Sequence, residues 1–264
     1  MSEVTSKDGI RIAVTRLGSG SPVVLINGAL GARQASSALA GLLAVRFSVI
    51  SYDRRGRGGS GNTAKYAVDR EVDDLAAVID AAGGAASVFG TSSGGNLALA
   101  GAARGVPIKK LALWEPNFLV DDGRPPLPAN YVEHVNALVS SGNRGDAVEY
   151  FLTVAAGVPA QFVAPMRGMP VWPTFEAAAH SLAYDGAVVG DSMSGKPLSK
   201  QRWSSIVVPT LVIDGGTAPW MSRGADALAK VLPNAERRTV PGQPHDFSAE
   251  AIAPLLVEFF ARDR

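Results

Sequence analysis

The stretch that decides the fold runs from residue 86 to residue 96 and reads Ala-Ser-Val-Phe-Gly-Thr-Ser-Ser-Gly-Gly-Asn. At its centre, Gly90-Thr91-Ser92-Ser93-Gly94 has the pattern Gly-x-Ser-x-Gly. A strand-like apolar run precedes this pattern and a helix-like run follows it, which is the setting in which a serine stands on a sharp strand-to-helix turn. Glycine two residues to either side lets neighbouring backbone approach the turn without a clash. The stretch therefore predicts a nucleophilic serine at position 92.

Outward from this turn, short apolar runs alternate with longer amphipathic runs. The strand-like runs are Ile10–Arg16, Pro22–Ile26, Phe47–Tyr52, Ala86–Gly90, Lys110–Trp114, Thr210–Ile213 and Arg237–Val240. The helix-like runs between and after them are Arg33–Val45, Val68–Ala82, Gly94–Ala103, Arg223–Leu232 and Ala249–Ala261. Such alternation predicts an α/β protein whose mostly parallel sheet has helices on both faces.

The alternation stops between Phe118 and Trp203, where Gly-Val-Pro, Gly-Met-Pro and Trp-Pro turn signals interrupt the chain. Helical periodicity appears within this stretch at Tyr131–Val139, Asp146–Ala155 and Thr174–Ala183. We interpret residues 118–203 as a helical lid inserted into a core made of residues 1–117 and 204–264. A separate second domain is the alternative that we favour less.

Composition narrows the class of protein. The chain has 264 residues, of which 47% are apolar and 19% charged, and this argues against disorder. A net charge of +1 gives no general attraction to nucleic acid or to an anionic membrane. The chain has no cysteine, which excludes disulfides, thiolate metal ligands and a cysteine nucleophile. The amino terminus does not read as a secretory signal and no stretch predicts a membrane span, so we expect a soluble, cytoplasmic protein.

Two further motifs precede the serine turn. Pro22-Val23-Val24-Leu25-Ile26-Asn27-Gly28 ends a strand-like run, and a second reads Tyr52-Asp53-Arg54-Arg55-Gly56-Arg57-Gly58-Gly59-Ser60. Together with the serine turn and a late histidine, their order resembles the α/β-hydrolase family over almost the whole chain. The resemblance implies an eight-stranded, mostly parallel sheet. One departure is Asn27, where the family usually has histidine.

The chain has three histidines to serve as a base for the serine. His134 and His180 lie in helical stretches of the predicted lid, where a surface or packing role is the simpler interpretation. His245 lies in a loop between the last strand-like run and the last helix, and the resemblance implies that the catalytic histidine is there. A neutral imidazole in that place takes the serine proton and later returns it to the leaving group.

The resemblance also implies an oxyanion hole, a pair of backbone N–H groups that stabilise the negative oxygen formed during acyl transfer. It assigns these donors to Ala29 and Ser93. Gly28 would keep the loop open to substrate, and Asn27 would tether the loop through its side chain. The alternative is that Asn27-Gly28 is an ordinary turn.

The carboxylate that orients the histidine is less obvious. Aligned on glycine and proline, the position where most of the family has the aspartate holds Ala218. Some members take the acid from the end of the strand after the nucleophile, and Glu115 follows that strand here. A charged residue directly after an apolar strand lies at the carboxyl edge of the sheet, where active sites form. We therefore prefer Glu115, with Asp214 as the rival and neither residue as the third possibility.

Substrate contacts are predicted from the oxyanion loop and from large apolar residues of the lid. We assign them to Asn27, Gly28, Phe118 and Trp172, although packing of the lid on the core explains the last two equally well. Neither metal-ligand spacing nor a dinucleotide or phosphate-loop fingerprint occurs, so we expect no metal and no cofactor. The expected partner is a small-molecule substrate, with neither nucleic acid nor membrane, and the oligomeric state stays open.

Two functions of different classes follow. The first is a serine hydrolase that cleaves a carboxylic ester, or a thioester, lactone or amide, of a small and mainly apolar substrate through an acyl-enzyme on Ser92. The second is a non-hydrolytic use of the fold, as a cofactor-free perhydrolase, a lyase, a cyclase or a binding protein. The unusual acid and Asn27 leave room for the second, whereas an intact set of Ser92, His245 and a carboxylate favours the first.

Overall fold

A twisted sheet of eight strands forms the centre of the protein in the computed structural model, which describes residues 2–63 and 65–262. The strands are β1 (Ser2–Thr5), β2 (Arg11–Leu17), β3 (Ser21–Ile26), β4 (Phe47–Tyr52), β5 (Ala86–Thr91), β6 (Ile108–Trp114), β7 (Thr210–Gly216) and β8 (Ala235–Gln243). Their order is β1-β2-β4-β3-β5-β6-β7-β8. The pairs β1–β2 and β2–β4 are antiparallel and the other pairs are parallel, which confirms the predicted sheet.

The first strand has no counterpart among the strand-like runs of the sequence. β1 pairs with β2 from Ser2 opposite Val14 to Thr5 opposite Arg11, at the edge of the sheet. Its side chains are largely exposed, so it lacks the alternation of apolar and polar residues that marks a half-buried strand. It is defined by its partner strand rather than by its own pattern.

Eleven α-helices accompany the strands within the described residues. They are α1 (Ser37–Leu43), α2 (Val68–Ala81), α3 (Ser93–Ala103), α4 (Tyr131–Ser140), α5 (Arg144–Tyr150), α6 (Ala160–Val163), α7 (Trp172–Ala178), α8 (Leu182–Val189), α9 (Lys200–Trp203), α10 (Pro219–Val231) and α11 (Ala249–Ala261). None of them combines the length and the apolar character that crossing a bilayer requires.

The two faces of the sheet bury separate apolar clusters. On one face, α2, α3 and α10 contribute side chains such as Leu75 and Leu228. On the other face, α1 and α11 contribute Leu39 and Leu256 among others. Burial on both faces explains why the central strands are continuously apolar instead of alternating. The predicted placement of helices on both faces is confirmed.

Helices α4 to α9 lie between β6 and β7 along the chain, where the strand–helix alternation of the sequence stops. They have an apolar cluster of their own, which includes Tyr131, Val148, Trp172 and Leu182. We call residues 118–203 the helical segment. The helix predicted over residues 174–183 is in fact interrupted, because a 3-10 turn at Ala179–Ser181 separates α7 from α8.

A buried ionic cluster joins the helical segment to the turn after β4. Asp185 of α8 accepts hydrogen bonds from Arg54 Nη1 at 2.8 Å and from Arg57 Nη2 at 2.9 Å. Arg54 Nε also donates to Glu71 Oε1 of α2 at 2.6 Å. Each of these side chains is at most 5% exposed. Burial alone would raise the pKa of Asp185, but the charges of Arg57 and Arg54 hold it below its usual range.

Loss of this carboxylate should cost stability, because Arg57 would stay buried without its carboxylate partner and Arg54 would keep only Glu71. We expect Asp185→Ala to lower the free energy of unfolding in urea by about 3–5 kcal/mol. The matched control is Asp191→Ala in the same segment, where the side chain is 74% exposed and pairs with Arg202. That variant should lose less than about 1 kcal/mol. Equal losses from the two variants would contradict a structural role for the buried cluster.

Candidate active site

Ser92 occupies a strained turn between β5 and α3. Its φ of 52° and ψ of −128° are values that residues with a side chain rarely adopt. The turn is also crowded. A Cβ atom on Gly90 would lie 2.7 Å from the Gly94 carbonyl oxygen, and one on Gly94 would lie 2.5 Å from the carbonyl oxygen of Ile26. Both glycines of the motif are therefore required by backbone contact, and the serine side chain lines an open cavity.

His245 and Glu115 are paired in the same region. The Nδ1 atom of His245 lies 2.6 Å from Oε2 of Glu115. The carboxylate is 1% exposed, whereas the imidazole is 45% exposed and lines the cavity that contains Ser92. Oε1 of Glu115 accepts a hydrogen bond from Gly215 N at 3.1 Å. A carboxylate on Nδ1 favours the tautomer that is protonated there, which leaves Nε2 as an acceptor.

The backbone around Glu115 holds this pair in place. Glu115 has a φ of 41°, and its N–H donates to the carbonyl oxygen of Ile213 at 2.9 Å. The preceding residue, Trp114, accepts a hydrogen bond from Ser92 N at 2.9 Å and donates from Nε1 to the carbonyl oxygen of His245 at 2.9 Å. The end of β6 thus touches the turn that holds the serine and the loop that holds the histidine.

Asp214, the rival acid, is engaged elsewhere. It is fully buried near the end of β7, and its Oδ1 accepts from Thr239 Oγ1 at 2.7 Å and from Arg237 Nη1 at 2.9 Å. Its Oδ2 accepts a hydrogen bond from Ser222. Burial would raise the pKa of Asp214, but its hydrogen bonds from Arg237 and Ser222 lower it. The structure therefore brings Glu115, and not Asp214, to His245.

The loop after β3 lies beside the serine turn. Asn27 Nδ2 donates to the carbonyl oxygen of Ala32 at 2.9 Å, so its side chain ties the loop to itself. Gly28 N donates to Thr91 Oγ1 at 3.1 Å, one residue before the serine. The side chain of Asn27 thus makes the kind of tether that was expected of it.

The peptide between Gly28 and Ala29 is oriented by the buried ionic cluster. Arg57 Nη1 donates to the Gly28 carbonyl oxygen at 3.2 Å. In a planar trans peptide the carbonyl and the N–H point in opposite directions, so the Ala29 N–H faces away from Arg57. Ser93 is held by the same cluster, since its Oγ donates to Asp185 Oδ1 at 2.7 Å. Ala29 and Ser93 both line the cavity.

The cavity has a volume of about 810 Å³. Asn27 and Gly28 lie in its wall beside the serine and the histidine. Much of the remaining wall is apolar and includes Leu30, Leu127, Phe151, Leu152, Phe175 and Trp220. Asp185 and Asp246 are its carboxylates, and none of the described residues that line it is lysine or arginine. The space suits a small, uncharged molecule better than an anion.

Two residues expected to contact substrate lie away from this wall. Phe118 is fully buried in the sheet cluster, where its ring centroid is 5.5 Å from that of Trp203. Trp172 is buried among the helices of the helical segment, and its Nε1 donates to Glu176 Oε1 at 3.0 Å. Neither residue lines the cavity, so the interpretation as core packing replaces the expected substrate contact. Large apolar side chains in a helical insert look alike in sequence whether they face a core or a cavity.

The other histidines also lie outside the cavity wall. His134 packs against the ring of Tyr150, with 4.4 Å between the ring centroids. His180 Nδ1 lies 3.2 Å from Arg144 Nη2, and burial together with this charge lowers the pKa of His180. Within residues 2–63 and 65–262, no group of three or more His, Asp or Glu side chains is arranged to hold a metal ion.

Sequence reasoning gave no role to two residues that touch the site. Asp185 reaches Ser93 from α8, and its helix carries no signal that distinguishes this carboxylate from a surface one. Asn117 Nδ2 donates to Ser92 Oγ at 3.2 Å. The sequence feature that could have identified Asn117 is its position two residues after Glu115, at the same edge of the sheet as the serine turn.

Comparisons with known proteins agree with this fold. The family model described as "Alpha/beta hydrolase family" matches residues 23–255. The crystal structure of an alpha/beta hydrolase from Sphaerobacter thermophilus is 52% identical, with a TM-score of 0.92 over 98% of this chain and 100% of that one.

Two less similar structures share the fold. An esterase from Thermogutta terrifontis, solved with malate bound, is 24% identical with a TM-score of 0.68, over 98% of this chain and 97% of that one. An enol-lactonase from Burkholderia xenovorans is 20% identical with a TM-score of 0.74, over 99% of this chain and 100% of that one. No curated protein gives a significant match. Because the family model matches most of its length, the chain belongs to the alpha/beta hydrolase family.

Proposed function

We propose that the protein is a serine hydrolase that cleaves a carboxylic ester of a small, mainly apolar and uncharged molecule. The observation that carries the proposal is the His245–Glu115 pair at 2.6 Å, with the imidazole in the wall of the cavity that contains Ser92. A binding protein has no need of a serine held in strained backbone beside such a pair. Thioesters, lactones and amides react through the same groups. The cavity volume of about 810 Å³ accommodates acyl chains of different sizes.

In the proposed mechanism, Ser92 Oγ attacks the acyl carbon while its proton passes to Nε2 of His245. The bond from the acyl carbon to the alcohol oxygen then breaks, and the alcohol leaves with the proton from His245. A water molecule next attacks the acyl-enzyme and gives a proton to the same nitrogen. That proton returns to Ser92 Oγ as the acid departs. Glu115 stabilises the imidazolium that forms in each half of the cycle.

The negative oxygen of the tetrahedral intermediate is assigned to the N–H groups of Ala29 and Ser93. Support comes from the position of both residues in the cavity wall and from the Arg57 contact that turns the Ala29 N–H away from the buried cluster. Helix α3 begins at Ser93, and the dipole of the helix favours negative charge at this N-terminus. Fixed donors of this kind are among the largest contributions to acyl transfer.

We propose further that residues 118–203 act as a lid over a core formed by residues 1–117 and 204–264. Supporting this, Leu127, Phe151 and Phe175 of the helical segment line the cavity together with the loop after β3. The segment thereby excludes water from the ester and provides part of the apolar surface that an acyl chain would contact.

Removal of either reacting side chain should abolish turnover of p-nitrophenyl acetate and butyrate. We expect Ser92→Ala and His245→Ala each to lower kcat by at least about 1,000-fold, because the two groups act as one unit. His134→Ala is the matched control, since His134 lies outside the cavity wall, and it should keep wild-type activity. A fluorophosphonate should label Ser92 in the wild type. A folded wild type that neither turns over ester nor becomes labelled would rule out the hydrolase.

Two matched amide variants identify the acid. Glu115→Gln should lower kcat by about 100- to 10,000-fold, because an amide neither fixes the histidine tautomer nor stabilises the imidazolium. Asp214→Asn should lower kcat by less than about tenfold, since Asp214 bonds Thr239 and Arg237 rather than His245. Steady-state kinetics on folded variants test this. A larger loss of kcat from Asp214→Asn than from Glu115→Gln would identify Asp214, on β7, as the acid.

The charge of the acyl chain should matter. Mono-p-nitrophenyl adipate has the chain length of p-nitrophenyl hexanoate but ends in a carboxylate. We expect its kcat/KM to be at least about tenfold lower, because none of the described residues that line the cavity is a lysine or arginine able to pair with its carboxylate. Hydroxide-catalysed hydrolysis of the two esters corrects for their intrinsic reactivity. Equal corrected values would show that the acyl chain lies outside this cavity.

A further inference from the structure

The side chain of Asn117 contacts the atom that reacts. Its Nδ2 lies 3.2 Å from Ser92 Oγ, and both residues line the cavity. An amide nitrogen is a donor and not an acceptor, so Ser92 Oγ accepts this hydrogen bond through a lone pair. The serine's own proton must then point to another acceptor. The acceptor that the proposed mechanism requires is Nε2 of His245, in the same wall.

The backbone of Asn117 is held without any help from its side chain. Its N–H donates to Asn96 Oδ1 at 2.9 Å, and its carbonyl oxygen accepts from Asn96 Nδ2 at 3.2 Å and from Ser192 Oγ at 2.7 Å. Asn96 lies on α3 and Ser192 in the helical segment, and both are buried. The amide of Asn117 is therefore not needed to hold its loop, which leaves the contact with Ser92 as its distinctive interaction.

We propose that Asn117 is a catalytic residue that donates a hydrogen bond to the nucleophile throughout the cycle. This inference rests on the proposed serine hydrolase function. Before attack, the bond directs the Ser92 proton to His245. As that proton leaves, the amide stabilises the negative charge that develops on Oγ, because hydrogen bonds to a charged acceptor are the stronger ones. When the acyl-enzyme is hydrolysed, Oγ is the leaving group, and the same donor stabilises the charge that returns to it. Asn117 itself gains and loses no atom.

Fluorophosphonate labelling separates the attack by Ser92 from hydrolysis of the acyl-enzyme, because labelling requires the attack but no release of an acid. We expect Asn117→Ala to lower both the rate of labelling and kcat for p-nitrophenyl butyrate by about 10- to 100-fold. KM should change by less than about threefold, since the bond is to the enzyme's own oxygen. Asn234→Ala is the control, because that asparagine is exposed and bonds the carbonyl oxygen of Val207. It should label at the wild-type rate.

The isosteric variant Asn117→Asp separates hydrogen-bond donation from shape. Its carboxylate is a pure acceptor that would draw the Ser92 proton away from His245 and repel the developing charge. We expect it to be slower than Asn117→Ala by about a further tenfold, although it is closer to the native residue in size. If the residue merely filled space, the order would be reversed.

The outcomes are distinct. A wild type that labels, with Asn117→Ala and Asn117→Asp labelling within threefold of it, would overturn the role of Asn117 and leave the hydrolase intact. Asn117→Asp faster than Asn117→Ala would also overturn it. If Asn117→Ala does not fold, Asn117→Asp alone decides, and labelling within threefold of the wild type overturns the proposal. A wild type that fails to label would overturn both the hydrolase and this role.

Discussion

The structure depends on one crowded point, the turn at Ser92. Here β5 passes into α3 so sharply that a Cβ on Gly94 would meet the carbonyl oxygen of Ile26 at 2.5 Å. The close approach brings the end of β3 against the start of α3, and with it the loop that contains Gly28 and Ala29. Ser92 N also bonds the carbonyl oxygen of Trp114, which ties the end of β6 to the same turn. Three neighbouring strands thus end around one side chain, and the sheet supplies the rigidity that keeps the serine in strained backbone.

The two candidate acids, Glu115 and Asp214, lie at the ends of neighbouring strands. β6 and β7 are adjacent and parallel, with Trp114 opposite Ile213, so Glu115 and Asp214 occupy equivalent positions just beyond that pair. Asp214 is committed to Arg237 and Thr239 on β8, which draws its carboxylate to the far side of β7. Glu115 has a positive φ, and its carboxylate bonds both Gly215 N and His245. Glu115 and Asp214 therefore differ in the side chains that they bond, and this difference, not the choice of glutamate or aspartate, decides which of them reaches His245.

The sequence predicted those features that depend on local pattern. The Gly-x-Ser-x-Gly turn, the parallel strands and the helices on both faces follow from spacing and apolar runs. The pairing of Glu115 with His245 was preferred on the resemblance to the α/β-hydrolase family, with Asp214 as the rival. β1 could not be predicted, because an exposed edge strand has no pattern of its own. Phe118 and Trp172 were expected at the cavity and lie in apolar clusters, since burial alone does not say what a side chain faces. Asp185 and Asn117 could not be identified from the sequence, because each contacts the serine turn from a distant part of the chain.

The bridge formed by Asp185 has a consequence for how the cavity opens. One of its oxygens accepts from Ser93 and Arg54, and the other from Arg57, which in turn holds the Gly28 carbonyl. Withdrawal of α8 from the sheet would break the three Asp185 contacts together and would take from Arg57, which orients the Gly28–Ala29 peptide, its carboxylate partner. Any movement of α8 is therefore coupled, through this single carboxylate, to the serine turn and to the loop after β3.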